Sequence, residues 1–349
     1  MASLSRANKR ESEPSASYPS LGALAVAMTA ALQPPERLAP SEAAEKYRHL
    51  QIPGAYHGPY LSETTPYMAE PLDVLADREK KACIFVGPAQ SGKTDSLILN
   101  AILYAVTCDP IDTILYQTSQ TVAADFSRTR LDRMHRHSPE VGRRVLTGGS
   151  ADTVHAKYYD SGIVVNLSWP TINEMSGRPR GLVLLTDYDR MPQDVDGEGS
   201  PFDLGMKRTT TFRSKGKTIC ESSPGFEVEA GTTWIPRTRH EAPPCKGILA
   251  LYNRGDRRRW YWKCPHCREW FEPVFDLLKY PTDVSPTEAG AAAWMACPHN
   301  GCVITPDLKY EINKAGRWLK DGQSLTAEDV LVGEGVSSAY ASFWLFGCA

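Results

Sequence analysis

The chain has 349 residues, 42% of them hydrophobic and 23% charged. That is the composition of a soluble globular protein long enough for about two domains. A formal net charge of −2 excludes binding to nucleic acid through overall charge, so any such contact is local. Nine unevenly spaced cysteines exclude a disulfide scaffold and favour a reducing compartment.

In chain order, residues 1–20 are rich in Ser, Pro and charge and read as disordered. Residues 21–32, Leu-Gly-Ala-Leu-Ala-Val-Ala-Met-Thr-Ala-Ala-Leu, follow Arg6, Lys9 and Arg10 as a signal peptide would. Twelve residues are too few to span a bilayer, and Glu11 and Glu13 interrupt the basic approach. The segment reads as an alanine-rich amphipathic or buried helix that can dock a partner, ended by Pro34 and Pro35, within an N-terminal arm over 1–40. Ser41 then caps a short helix carrying Ala43, Ala44, Tyr47 and Leu50. A Gly-, Pro- and Tyr-rich loop follows, and the run from Pro66 and Tyr67 to Pro71 introduces a further helical stretch.

Residues 82–86, Ala-Cys-Ile-Phe-Val, predict a buried strand, and 96–106 predict a largely apolar helix. Between them lies Gly87-Pro88-Ala89-Gln90-Ser91-Gly92-Lys93-Thr94, a complete G-x-x-x-x-G-K-[ST] phosphate loop. Glycines let backbone N–H groups, Gln90 and Ser91 among them, close around phosphate oxygens. Lys93 suits the β/γ charge and the Thr94 hydroxyl suits Mg²⁺. The helix N-terminus adds positive potential. Strands at 113–116, 162–167, 182–185 and 217–220, with a helix at 122–135, predict a mostly parallel sheet covered by helices.

Hydrolysis of a nucleoside triphosphate calls for a carboxylate on the metal and another to orient water. Leu182-Val183-Leu184-Leu185-Thr186 delivers Asp187 to a strand's C-terminal edge, where such sheets bind ligands, with Asp189 next. Asp194, Asp196 and Glu198 read as solvated charge. Another strand ends in Ser222-Ser223-Pro224, whose hydroxyls can sense phosphate or form an ordinary turn.

Prolines 243 and 244 open a region of different character. Cys264-Pro265-His266-Cys267 and Cys297-Pro298-His299-Asn300-Gly301-Cys302 form two knuckles 29 residues apart, which suits a closed tetrahedral Zn²⁺ site of structural role. His266 or His299 can replace one thiolate. Arg254 and Arg257, Arg258 and Arg259 precede Trp260-Tyr261-Trp262-Lys263. They suit nucleic-acid backbone and stacking contacts, or else a strand with aromatics buried and arginines solvated. The last twelve residues, 338–349, are apolar and must pack on something or continue into something.

Taken in order, Pro66-Tyr67, the phosphate loop, Asp125-Phe126-Ser127-Arg128-Thr129-Arg130-Leu131, Ser176-Gly177-Arg178-Pro179, Asp187 to Asp189, Glu198-Gly199-Ser200-Pro201, Lys207-Arg208-Thr209 and Ser222-Ser223-Pro224 resemble the large terminase subunit of lambdoid tailed phages over residues 45–349. The resemblance implies an α/β phosphate-loop NTPase with a mostly parallel sheet over 41–244 and a small zinc-ribbon-like insert over 245–325. Residues 326–349 would begin a junction to a nuclease domain that is absent. It implies an ATPase that drives phage DNA into the capsid in the host cytoplasm, using ATP, Mg²⁺ and structural Zn²⁺. Its partners would be double-stranded viral DNA, a small terminase subunit, the capsid portal and further copies of itself, with no membrane. Lys93 and Thr94 would hold phosphate and Mg²⁺, with Asp187 as the metal-side or water-orienting acid, Tyr67 would stack on adenine, and Ser222, Ser223 and Pro224 would couple hydrolysis to movement. The family's acidic pair is Asp-Glu, whereas this chain has Asp187-Tyr188-Asp189, which passes the glutamate's role to Asp189. Arg178, Arg180, Arg190 and Arg208 are candidates to stabilise transition-state charge. Two rival readings are another nucleic-acid motor, such as a zinc-ribbon helicase, and a remnant that binds DNA or partners and hydrolyses nothing.

Overall fold

The computed structural model describes residues 20–32, 36–149, 151–228 and 234–349. The expected disorder of residues 1–19 and the prolines at 34 and 35 lie outside them. Two compact units result, Met1–Glu36 and Arg37–Ala349. In the first, Leu21–Leu32 is a helix with no acidic residue in its first turn and no basic residue in its last. No described helix is long and apolar enough to cross a membrane.

The second unit is built on ten strands: β1 (Ala82–Val86), β2 (Thr113–Tyr116), β3 (Ala156–Tyr158), β4 (Val164–Ser168), β5 (Leu182–Thr186), β6 (Lys217–Ser222), β7 (Arg258–Lys263), β8 (Trp270–Phe271), β9 (Arg317–Leu319) and β10 (Tyr340–Trp344). Their order is β8-β7-β10-β1-β6-β5-β2-β4-β3, with β9 also on β7. Every pairing from β7 through β4 is parallel. β3, β8 and β9 run antiparallel at the margins.

Parallel strands buried on both faces read as continuous apolar runs, and β1 and β5 are buried at every position. Alternation then assigns each residue to a face. Cys83, Phe85, Leu184 and Ile219 pack with Leu97, Leu99 and Leu103, which follow the phosphate loop. Ala82, Ile84, Val183, Leu185 and Cys220 pack instead with Phe202 and Leu204 of the Pro201–Thr209 helix and with Ile248 and Leu251 of the Ile248–Asn253 helix. The two faces of the sheet carry different chemistry at the site.

The expected boundary near residue 245 is not a boundary of the sheet. β7, β8 and β9 come from the cysteine-rich stretch and extend the sheet that holds the phosphate loop. Leu278–Lys279, Trp294–Ala296 and Val303–Ile304 form a small separate antiparallel sheet there, and Ser324–Leu325 pairs with Leu331–Val332 in another. Likewise the apolar end of the chain, expected to lead toward a further domain, supplies β10 between β1 and β7.

The arginine-aromatic run follows neither expected reading in full. Trp260, Tyr261 and Trp262 are buried, but so are Arg258 and Arg259. Arg258 pairs with Asp256 and Glu70, and Arg259 lies 3.6 Å over the Trp344 ring and reaches Glu272. Desolvating a charge is costly unless it is paired, so these guanidinium groups are structural and not open to a DNA backbone. Asp256, fully buried, accepts from Lys80 Nζ at 3.2 Å, from the Ser342 N–H at 3.0 Å and from Arg258. It ties the approach to β1 to β7 and β10.

Phe343 of β10 is fully buried, with Trp318 5.0 Å away edge-on and the Arg258 guanidinium 4.7 Å from its centroid. Removing such a ring from a packed core costs about 3–5 kcal/mol. Phe343→Ala is expected to lower unfolding stability by that amount in a urea titration.

Candidate functional site

β1 ends at Val86, and the phosphate loop turns from it into a π-helical segment, Lys93–Leu99, continued by the Asn100–Thr107 helix. Gly92 has a φ of +79°, and a Cβ there would sit 3.2 Å from Ser96 Oγ and from Thr65 Cγ2. Glycine is required at that turn on both counts. Gln90 also takes a positive φ, 61°, and is exposed at the loop's crest. Ser91 Oγ donates to Pro88 O at 2.9 Å, closing the loop on itself.

Lys93 is buried, and its Nζ donates to Pro88 O at 2.6 Å and to Ser223 Oγ at 3.1 Å. Burial pulls its pKa down, while the charges of Glu221 and Asp187 oppose that shift. Thr94, half-buried, is the next residue of the helical turn. Asp95 anchors the turn through Arg48 and Arg130, both at 3.0 Å.

Tyr67 lies under the loop. Its hydroxyl donates to Ser91 O at 3.3 Å, its ring meets Trp260 edge-on, and it is 7% exposed. That burial leaves the ring little face for a base and makes Tyr67 a buttress of the loop.

β6 lies between β1 and β5, with Val86 opposite Ser222 and Thr186 opposite Glu221. The phosphate loop, the two serines and the acidic strand end therefore meet at one edge. The Gly87 N–H donates to Ser222 O at 3.2 Å. Ser223 touches Lys93, whereas Ser222 Oγ accepts from the Asp189 N–H at 3.1 Å.

The two aspartates separate. Asp187, at a φ of 56°, follows β5 directly and is half-buried, close enough to act electrostatically on Lys93. Asp189 turns to the other side. Its carboxylate accepts from the Gly225 N–H at 2.8 Å and from the Ile248 N–H at 2.6 Å, capping the Ile248–Asn253 helix. A Cβ on Gly247 would fall 2.3 Å from Asp189 Oδ1, so this carboxylate fits a closed cradle. Burial raises its pKa against those two N–H groups.

Sequence reasoning passed over Glu221. It is 1% exposed, and its Oε1 accepts from Thr186 Oγ1 while Oε2 has no hydrogen-bond partner among the described residues. Burial pushes its carboxyl up to about 7, against the Thr186 hydroxyl and Lys93. Its signal was an acid directly after Ile219 and Cys220 in a short strand that is buried at every position.

Of the arginines, Arg208 is spent on Tyr116, Glu174 O and Arg178 O, and Arg180 on Asn166 and Asp112. Arg178 and Arg190 are exposed.

The four cysteine sulfurs Cys264, Cys267, Cys297 and Cys302 lie within 4.8 Å of one another. Cys267 and Cys297 are 3.6 Å apart, close to the roughly 3.8 Å edge of a tetrahedron with 2.3 Å Zn–S bonds. His266 and His299 bond instead to Val303 O and Trp270 O, which leaves the four thiols as the ligand set.

A sequence model described as phage terminase large subunit gpA, ATPase domain, matches residues 54–318. No curated protein sequence matches the chain. Among solved structures, the large terminase of bacteriophage HK97 is similar at 12% identity and a TM-score of 0.40, over 53% of this chain and 37% of that one. The chain thus spans little more than a third of that terminase. With the family match covering well over half of its length, this chain belongs to the phage terminase large subunit gpA ATPase-domain family.

Proposed function

We propose that this chain hydrolyses ATP at the edge formed by β1, β6 and β5, and that hydrolysis drives phage DNA into a capsid. The observation that carries the reading is the Lys93–Ser223 hydrogen bond beside a loop whose backbone can cradle phosphates, at the sheet edge to which β5 delivers Asp187. Lys93 would bind the β/γ oxygens. The Thr94 hydroxyl and the Asp187 carboxylate are hard oxygen donors of the kind Mg²⁺ takes. When bound, that ion would neutralise charge on the transferring phosphoryl group.

Ser223 is placed to report the state of the phosphate through Lys93, and Ser222 links the same segment to Asp189 and the opposite face. This pair suits the coupling role. Arg178 and Arg190 are the arginines exposed enough to reach a phosphate. Family membership supports the host cytoplasm as the place of action, and DNA, a small subunit, the portal and further copies of the chain as partners. The four cysteine thiols would hold Zn²⁺ in a closed structural site, tying Cys264 beside β7 to the small sheet.

Lys93→Ala is expected to abolish DNA-stimulated phosphate release; equal rates in mutant and wild type would reject the proposal. Elemental analysis is expected to find close to one zinc per chain. Cys264→Ser should lose the metal and lower the melting temperature, whereas a metal-free protein with the same melting temperature would remove the zinc.

A further inference from the structure

Alternation along β6 and β5 divides the acids of this site between two faces. Ile219 and Leu184 pack in the layer that holds Leu97 and Leu99 of the phosphate-loop helix. Glu221 and Thr186 follow them by two residues, on the same face. Ser223, two residues beyond Glu221, bonds Lys93 at 3.1 Å. Cys220 and Leu185 pack in the opposite layer with Ile248, the residue whose N–H Asp189 accepts. Asp189 therefore serves the far side of the sheet, its oxygens taken by Gly225 and Ile248.

Glu221 has the opposite character. One oxygen is fixed by Thr186, which sets the rotation of the carboxylate, and Oε2 is buried with no partner among the described residues. An unsatisfied buried acceptor costs about 1–3 kcal/mol. Such an atom calls for a partner, and a water or ligand entering the site supplies one.

Resting on the ATPase reading above, we propose that Glu221, and not Asp189, is the carboxylate that orients the attacking water and takes its proton. In this step the water oxygen forms a bond to the γ-phosphorus and the β,γ-bridging P–O bond breaks. The bond's electron pair stays with ADP, and the water's proton passes to Glu221 Oε2 and from there to solvent as phosphate leaves. Thr186 holds the carboxylate in position. Tyr188 stands where a glutamate would follow Asp187, so an acid on the neighbouring strand takes the task without lengthening the loop.

The test compares wild type, Glu221→Gln and Glu221→Asp in two measurements: binding of a fluorescent ATP analogue with Mg²⁺, and steady-state phosphate release. Glu221→Gln keeps the shape and the Thr186 bond but cannot accept a proton. General base catalysis contributes about 10²- to 10⁴-fold, so turnover should fall at least about 100-fold while analogue affinity stays within about 3-fold. Glu221→Asp, which retains the carboxylate, should recover part of the turnover. Wild-type turnover in Glu221→Gln, or a matching loss seen instead in Asp189→Asn, would overturn the proposal. If Glu221→Gln does not melt cooperatively, Glu221→Leu, which has no group to accept the proton, decides, and undiminished turnover there would overturn it. A wild-type chain that neither binds the analogue nor releases phosphate would instead overturn the ATPase reading itself.

Discussion

The placement of β6 between β1 and β5, parallel to both, is the constraint on which the site depends. Parallel neighbours end at the same edge, so the phosphate loop after Val86, the serines after Glu221 and the acids after Thr186 meet without long excursions of chain. The spacing is held by backbone hydrogen bonds, including that from the Gly87 N–H to Ser222 O. Side chains then differentiate the edge. Period-two alternation sends Glu221 toward Lys93 and Ser222 toward Asp189, so one strand addresses both faces of the sheet.

This arrangement suggests how a chemical event could become a mechanical one. Lys93 and Ser223 are bonded directly, and Ser222 Oγ donates to Ser223 O at 2.9 Å while accepting from the Asp189 N–H. Asp189 in turn holds the first turn of the Ile248–Asn253 helix. A change at Lys93 thus has a short bonded route to a helix on the opposite face. The cysteine-rich stretch is joined to the same frame, because β7 lies against β10 and β10 lies against β1.

Much of this was legible in the sequence because the signals were local. The phosphate loop is specified by glycine and lysine spacing, the strands before it and before Asp187 are unbroken apolar runs, and the four cysteines come in two tight knuckles. What sequence could not convey was pairing partners. β10 and β7 are separated from β1 in sequence by long stretches, and nothing local says that an apolar chain end will enter the middle of a sheet. The arginines of β7 misled for a related reason: their partners Glu70, Asp256 and Glu272 are spread over the chain, so a charged run read as surface is a buried ion-pair network. Glu221 went unread because its meaning lies across the sheet, in Thr186 and Lys93.

The most direct measurement is a crystal structure with Mg²⁺ and a non-hydrolysable ATP analogue. The account predicts the triphosphate on the 87–94 loop, with Lys93 Nζ turned from Pro88 O to the phosphates and the γ-phosphate within hydrogen-bond reach of Ser223. Nucleotide bound elsewhere, or a Lys93 still bonded to its own loop with the analogue present, would contradict it.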